Sequence, residues 1–135
     1  MSDDQLQVEL VSAERTVWSG QAQMVLARTT EGDLGVLRNH TPILSLLVDG
    51  VVEITPVDGE HVVAAVDGGF ISVAANRVSI LSAHAVLAED IDADHERNEL
   101  EEAEKAGDDE EDGQEGAQAR ARRAEARIRA TERAS

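Results

Sequence analysis

Between residues 43 and 70 three Asp-Gly dipeptides recur at even spacing, at Asp49-Gly50, Asp58-Gly59 and Asp67-Gly68. Both residue types tolerate positive φ, so Asp-Gly favours tight hairpin turns. Turns this close together leave room only for strands of about five to seven residues. The intervening segments fit. Leu6, Val8 and Leu10 alternate with Gln5, Gln7 and Glu9, and Val52 and Ile54 alternate with Glu53 and Thr55. Period-two alternation is the mark of a strand with one buried face. Val78 and Ile80 point one way within Arg77 to Leu81, and further strands are expected at Thr16 to Trp18, Ala22 to Arg28, His61 to Val66, Phe70 to Ala74 and Ala85 to Ala88. Met24 and Leu26 are expected to face the core, and Ile43 to Val48 reads as a buried strand. Ser12-Ala13-Glu14 and Ala75-Asn76 read as turns, and Ser19-Gly20 as a break. Eight to ten short strands in about ninety residues predict a β-sandwich or barrel. A calcium-binding nonapeptide repeat is excluded, because its Gly-Gly-x-Gly-x-Asp pattern is absent.

One stretch interrupts the strands. Glu31 to Pro42 contains Gly32 and Gly35, which allow tight backbone geometry, and Pro42, which fixes its own φ. Leu34, Val36 and Leu37 are too apolar for a free linker. The stretch reads as a rigid connection carrying Glu31, Asp33, Arg38 and His40, a usual place for a binding surface.

Charge divides the chain near residue 89. Residues 89–116 carry fifteen acidic side chains against Arg97 and Lys105, and residues 117–134 carry six arginines against Glu125 and Glu132. The expected organisation is a sandwich over 1–88 and a helical segment over 89–135, with an acidic linker at 107–116. Asp90 or Asp92 suits a helix N-cap, Ala93, Leu100 and Ala103 form a thin apolar stripe, and Gly107 suits a stop. Ala117, Ala121, Ala124 and Ile128 share one face of a second helix. An acidic helix followed by a basic one folds back as an antiparallel pair. Helix stability comes mostly from packing an apolar stripe, so an alanine stripe predicts a weakly held pair.

Much chemistry is excluded. The chain has no cysteine, hence no disulfide, zinc-thiolate site or Cys nucleophile. A net charge of −16 opposes binding to nucleic acid or anionic lipid. The N-terminus, Met1-Ser2-Asp3-Asp4, is acidic where a signal peptide is basic, and no apolar run reaches the roughly 18–20 residues of a membrane span. No phosphate-cradling Gly-x-x-x-x-Gly-Lys-Ser/Thr and no Gly-x-Ser-x-Gly elbow occurs. His40, His61, His84 and His95 lack metal-ligand spacing, and no cofactor is expected. An enzyme pairing His40 with Asp33 has no visible nucleophile or oxyanion partner.

The order of features resembles a known family, the epsilon subunits of rotary F-type ATP synthases, of an actinobacterial or mycobacterial kind. The resemblance rests on Ser12-Ala13-Glu14, Trp18-Ser19-Gly20, Gly32 to Leu37, His40-Thr41-Pro42, Asp67 to Phe70 and Val78 to Leu81. It spans about residues 5–88, and beyond that only the architecture is similar. It implies a mainly β protein with an α appendage: a β-sandwich of about ten strands, then a two-helix hairpin. It implies a non-catalytic rotor-stalk subunit contacting the gamma subunit and the c-ring, at the cytoplasmic face of the plasma membrane without inserting into it. Asp33 falls at the family's c-ring-facing acidic position, and His40 where its loop runs near gamma. The helical pair in the family extends along gamma into the catalytic head and blocks ATP hydrolysis. On that reading Arg122, Arg123 and Arg127 are candidate contacts for acidic surface of the alpha and beta subunits. Some members bind ATP through Ile/Leu-Asp-x-x-Arg-Ala. Here Ile91-Asp92 match, but His95-Glu96 replace Arg-Ala, which removes the obvious phosphate partner. The alternative is a free-standing β-sandwich binding module with a disordered acidic tail.

Overall fold

One long strand decides the architecture of the computed structural model, which describes residues 5–109 and 114–134. Strand β2 (Thr16–Thr29) pairs with β1 (Leu6–Val11) through Ala22, then with β3 (Gly32–Leu37) from Met24 onward. Its other edge pairs with β5 (Gly50–Pro56), with a register shift between Ala22 and Met24. A bulge of this kind bends a strand and increases its twist. It lets β2 leave one layer and enter the other. The first layer runs β4 (Ile43–Leu46), β7 (Phe70–Ala74), β8 (Arg77–Leu81), β1 and the first half of β2. The second runs β3, the second half of β2, β5, β6 (Val62–Val66) and β9 (Ala85–Leu87). The chain is thus mainly β, a sandwich followed by two helices.

The bulge also corrects two expectations. Ser19-Gly20 does not break the strand. A Cβ at Gly20 would lie 3.0 Å from the Trp18 ring, so glycine makes room for that ring within a continuous β2. Met24 and Leu26 do not face the core. The extra residue flips the alternation, and Ala22, Val25 and Ala27 are buried instead. Between the layers, Leu6, Val8, Leu10, Val25, Val36, Val52, Ile54, Ile71 and Ile80 are closed to solvent.

Of the three Asp-Gly dipeptides, only Asp58-Gly59 joins neighbouring strands, β5 and β6. Asp49-Gly50 carries the chain from β4 into the second layer, and Asp67-Gly68 returns it to the first at β7. The turns Ser12 to Glu14 and Ala75-Asn76 are as expected. Ser12 Oγ accepts from the Arg15 N–H, and Ala75 and Asn76 both adopt positive φ. Strand β4 differs from expectation. It is an edge strand, shorter than expected, and Leu44 and Leu46 are 72% and 59% exposed.

After β9 a short 3-10 turn, Ala88–Asp90, leads to α1 (Ala93–Asp109) and α2 (Gln114–Ala134). Asp92 caps α1, its Oδ1 accepting from the Asp94 and His95 N–H groups at 3.1 and 3.2 Å. The helix continues through Gly107, where a stop was expected. Residues 110–113 of the expected acidic linker lie outside the described residues, and 107–109 and 114–116 are helical. The helices are antiparallel, with Arg120 beside Glu99 and Arg127 beside Glu96. Helix α2 lies between α1 and the second layer. Ala117 and Ala124 are buried, and Ala121 and Ile128 half-buried. A separate edge, Ala126 and Ala130, packs with Val63, Ala65 and Ala88 into a second core.

Gly59 and Gly69 test how packing adds to backbone strain, because their φ angles are nearly equal at +101° and +103°. A Cβ at Gly59 would meet open space, whereas one at Gly69 would collide with the Leu81 carbonyl. Gly59→Ala should cost about 1 kcal/mol and Gly69→Ala more than ~3 kcal/mol, read from urea unfolding midpoints.

Candidate functional site

The residues Glu31, Asp33, Arg38 and His40 do not share one loop. Gly32 to Leu37 form β3, and β2 and β3 meet in a tight turn at Thr30-Glu31. Thr29 makes that turn, its Oγ1 accepting from the Glu31 N–H and donating to the Gly32 carbonyl at 2.8 Å. Glu31 and Asp33 therefore sit at one end of the strand and Arg38 and His40 at the other, roughly 15 Å apart. Asp33 faces Arg28 across the pair at 3.6 Å, both well exposed. Such a contact contributes little. His40 Nδ1 lies 2.6 Å from the Thr41 carbonyl, a local hydrogen bond. Next to it Asn39, at φ 65°, donates its N–H to Asn76 Oδ1 at 2.6 Å, which ties this end of β3 to the β7–β8 turn. Asp33 and His40 are not brought together for catalysis.

The two outer faces of the sandwich differ. That of the second layer is covered by the chain's own α2. Strand β6 is buried on both sides from Val63 to Val66 for this reason. Among the described residues nothing covers the outer face of the first layer. Leu46, Phe70 and Leu81 lie directly opposite one another on β4, β7 and β8, and all three are exposed. Leu44 extends the row, and its cross-strand neighbours Ser72 and Ser79 carry no charge. Beside β4's open edge this makes an apolar face of the kind that marks an interface. Sequence reasoning missed it. The run Ile43 to Val48 signals burial on both faces, but not whether a foreign chain supplies the second cover.

Charge holds α2 in place. Arg122 Nε reaches Asp49 Oδ2 at 3.2 Å, Arg123 Nε reaches Asp67 Oδ2 at 2.7 Å and Arg133 reaches Glu53 Oε2 at 2.6 Å. Arg127 meets Glu96, itself buried, at 3.5 Å. So Arg122, Arg123 and Arg127, the candidate head contacts, here face this chain's own carboxylates. The apolar part of the seat is small, Ala126 and Ala130 of α2 against Val63, Ala65 and Ala88 with Val51 and Ile91 beside them, and α2 itself offers only methyl groups to it.

The family described as ATP synthase, Delta/Epsilon chain, beta-sandwich domain has a model that matches residues 5–88. The chain belongs to this family. It is similar to the ATP synthase epsilon chain of Streptomyces avermitilis, 55% identical over 104 residues, covering 77% of this chain and 84% of that one. It is likewise similar to that of Rhodococcus erythropolis, 50% identical over 105 residues with the same coverage. Among solved structures it is similar to a chain of the Euglena gracilis mitochondrial ATP synthase, from its OSCP/F1/c-ring assembly. That match has a TM-score of 0.81 at 25% identity and covers 90% of this chain and 78% of that one. A chain of the Tetrahymena thermophila central stalk and c-ring shares the fold, with a TM-score of 0.63 at 17% identity, covering 93% and 96%. As an ATP synthase epsilon chain it is a structural stalk subunit, not a catalytic one. Among the described residues no helix is long and apolar enough to cross a membrane, and no His/Asp/Glu group converges on a metal position.

In this epsilon chain Glu96 binds Arg127 across the helix pair. Glu53 has the clearest titration signature. Burial pushes its carboxyl up, but hydrogen bonds from Arg133 and His61 and the attraction of their charges outweigh this and hold it below its ordinary value. A depressed carboxylate contributes stability that is present above its unfolded pKa and lost as pH falls through the folded one. In melts taken from neutral pH down to about pH 3, wild type should lose more stability than Glu53→Gln, and the two curves should converge at the acid end.

Proposed function

We propose that this epsilon chain is a rotor part. Residues 1–88 join the gamma subunit and the c-ring in the central stalk of a proton-translocating F-type ATP synthase. Residues 89–135 restrain ATP hydrolysis. Within that membrane-bound complex this subunit is a peripheral part, at the cytoplasmic face of the plasma membrane. The observation that carries the reading is the asymmetry of the sandwich. Its second layer is covered by α2, while Leu44, Leu46, Phe70 and Leu81 on the first layer await a partner. Torque needs a rigid body gripped over an apolar surface, which a two-layer sandwich supplies without catalytic groups. Gamma is the partner assigned to this face. The two ends of β3 suit two contacts, with Glu31 and Asp33 directed to polar loops of the c-ring and Arg38 and His40 to gamma.

A brake needs an element that can leave its seat. Moving a two-state equilibrium from 1:99 to 99:1 takes about 5.5 kcal/mol of differential binding, a scale that a helix held by alanine methyls and partly exposed ion pairs can meet. Once released, Arg122, Arg123 and Arg127 are free to pair with acidic surface on the alpha and beta subunits of the head.

Two experiments test these halves separately. Leu46→Glu should leave the isolated chain's stability within about 0.5 kcal/mol, because the residue faces solvent, yet sharply reduce co-purification with gamma. Normal assembly of this variant would remove the first layer as the docking face. Stopping the chain after Glu89 should leave the synthase assembled and raise its ATP hydrolysis. An unchanged rate with normal coupling would remove the brake and confine function to the sandwich.

A further inference from the structure

Asp49 and Asp67, which hold Arg122 and Arg123, belong to the two connections by which the chain crosses between layers after β4 and after β6. Those connections touch. The Leu47 N–H donates to the Gly69 carbonyl at 2.9 Å, and Asp49 Oδ1 lies 3.6 Å from the Cβ position of Gly68. Both end on the bare apolar face. Only Leu47 and Val48 separate Asp49 from Leu46, and only Gly68 and Gly69 separate Asp67 from Phe70. Gly69 is in turn packed on the Leu81 backbone. The Asp67 N–H is held by the His84 carbonyl and by Ser82 Oγ, next to Leu81.

We propose that Arg122 and Arg123 form an ionic clamp on the two crossovers, and that this clamp couples the seat of α2 to the apolar face on the opposite side of the sandwich. With α2 seated, the crossovers are pinned and Leu46, Phe70 and Leu81 are held in one row. With α2 away, Asp49 and Asp67 lose their counter-charges and the row loosens at its crossover end. Coupling of this kind is reciprocal, so a partner that orders Leu46 and Phe70 favours the seated helix. The path is short and physical, two residues of backbone from each carboxylate to the face, with α2 as the two-state element. The inference rests on the reading that α2 leaves the sandwich, and the experiment separates the two.

The test is backbone amide hydrogen exchange on the full chain, followed by NMR, for wild type, Arg122→Gln/Arg123→Gln, and Arg120→Gln. Arg120 pairs with Glu99 and Glu102 on α1, so its variant disturbs the helix pair and spares the crossovers. In the double variant, the amides of Ala126 and Ala130 and those of Leu47 and Asp67 should exchange about tenfold faster, with Ile71 and Ile80 unchanged. Arg120→Gln should leave Leu47 and Asp67 at the wild-type rate. If Ala126 and Ala130 speed up while Leu47 and Asp67 do not, α2 leaves but the coupling is refuted. If Ala126 and Ala130 exchange only as fast as Ile71 and Ile80, α2 does not leave ahead of unfolding, and both the release and the coupling fall. Asp49→Asn/Asp67→Asn removes the same clamp from the sandwich side and should reproduce the pattern.

Discussion

A two-layer sandwich has two inner faces that cover each other and two outer faces that something else must cover wherever they are apolar. In this chain the requirement falls unequally. Val63 and Ala65 point outward from the second layer and are buried by Ala126 and Ala130 of α2. Leu44, Leu46, Phe70 and Leu81 point outward from the first layer and have no cover among the described residues. Apolar surface left in water costs free energy in proportion to its area, so the bare face is where association stabilises most. The place of this epsilon chain in a larger machine is consistent with that imbalance.

The cover on the second layer is built differently from the core between the layers. There, leucine, isoleucine and valine interlock with no exposure. Under α2 the helix brings only alanine methyls to Val63, Ala65 and Ala88, and much of the hold comes from arginines meeting carboxylates on β5, on the two crossovers and on α1. Ion pairs whose arginines stay partly in water contribute little each and are sensitive to salt. A chain of net charge −16 that gathers half of its twelve basic residues in one helix thus holds that helix largely through its own carboxylates.

Much of the sandwich was legible in the sequence. Leu6, Val8 and Leu10 alternate cleanly because β1 has one buried face, and Val78 and Ile80 do so for the same reason. The run Val62 to Val66 lacks alternation because α2 covers its other side, a signal open to reading. Elsewhere local rules failed for identifiable reasons. The bulge after Ala22 reversed which residues of β2 face inward, so Met24 and Leu26 were misplaced. Gly20 looked like a strand break, but it answers to the Trp18 ring. Asp-Gly marks a place where the chain can turn without saying which strand comes next, and two of the three dipeptides turn out to be crossovers. The stretch from Glu31 to His40 looked like one charged loop, but pairing with β2 makes most of it a strand and sends its charges to opposite ends.

By itself the sequence determined the short strands, a helix start capped at Asp90 or Asp92, the division of charge near residue 89 and the family resemblance of residues 5–88. All of these depend on residues near one another in the chain, where periodicity and backbone preference act directly. Only the tertiary structure decided which outer face is covered, which carboxylate meets which arginine and which leucines are left in water. Arg122 and Asp49 lie 73 residues apart and Arg123 and Asp67 lie 56 apart. Contacts over such separations follow from how the layers stack and where β2 bends, and no local pattern encodes them.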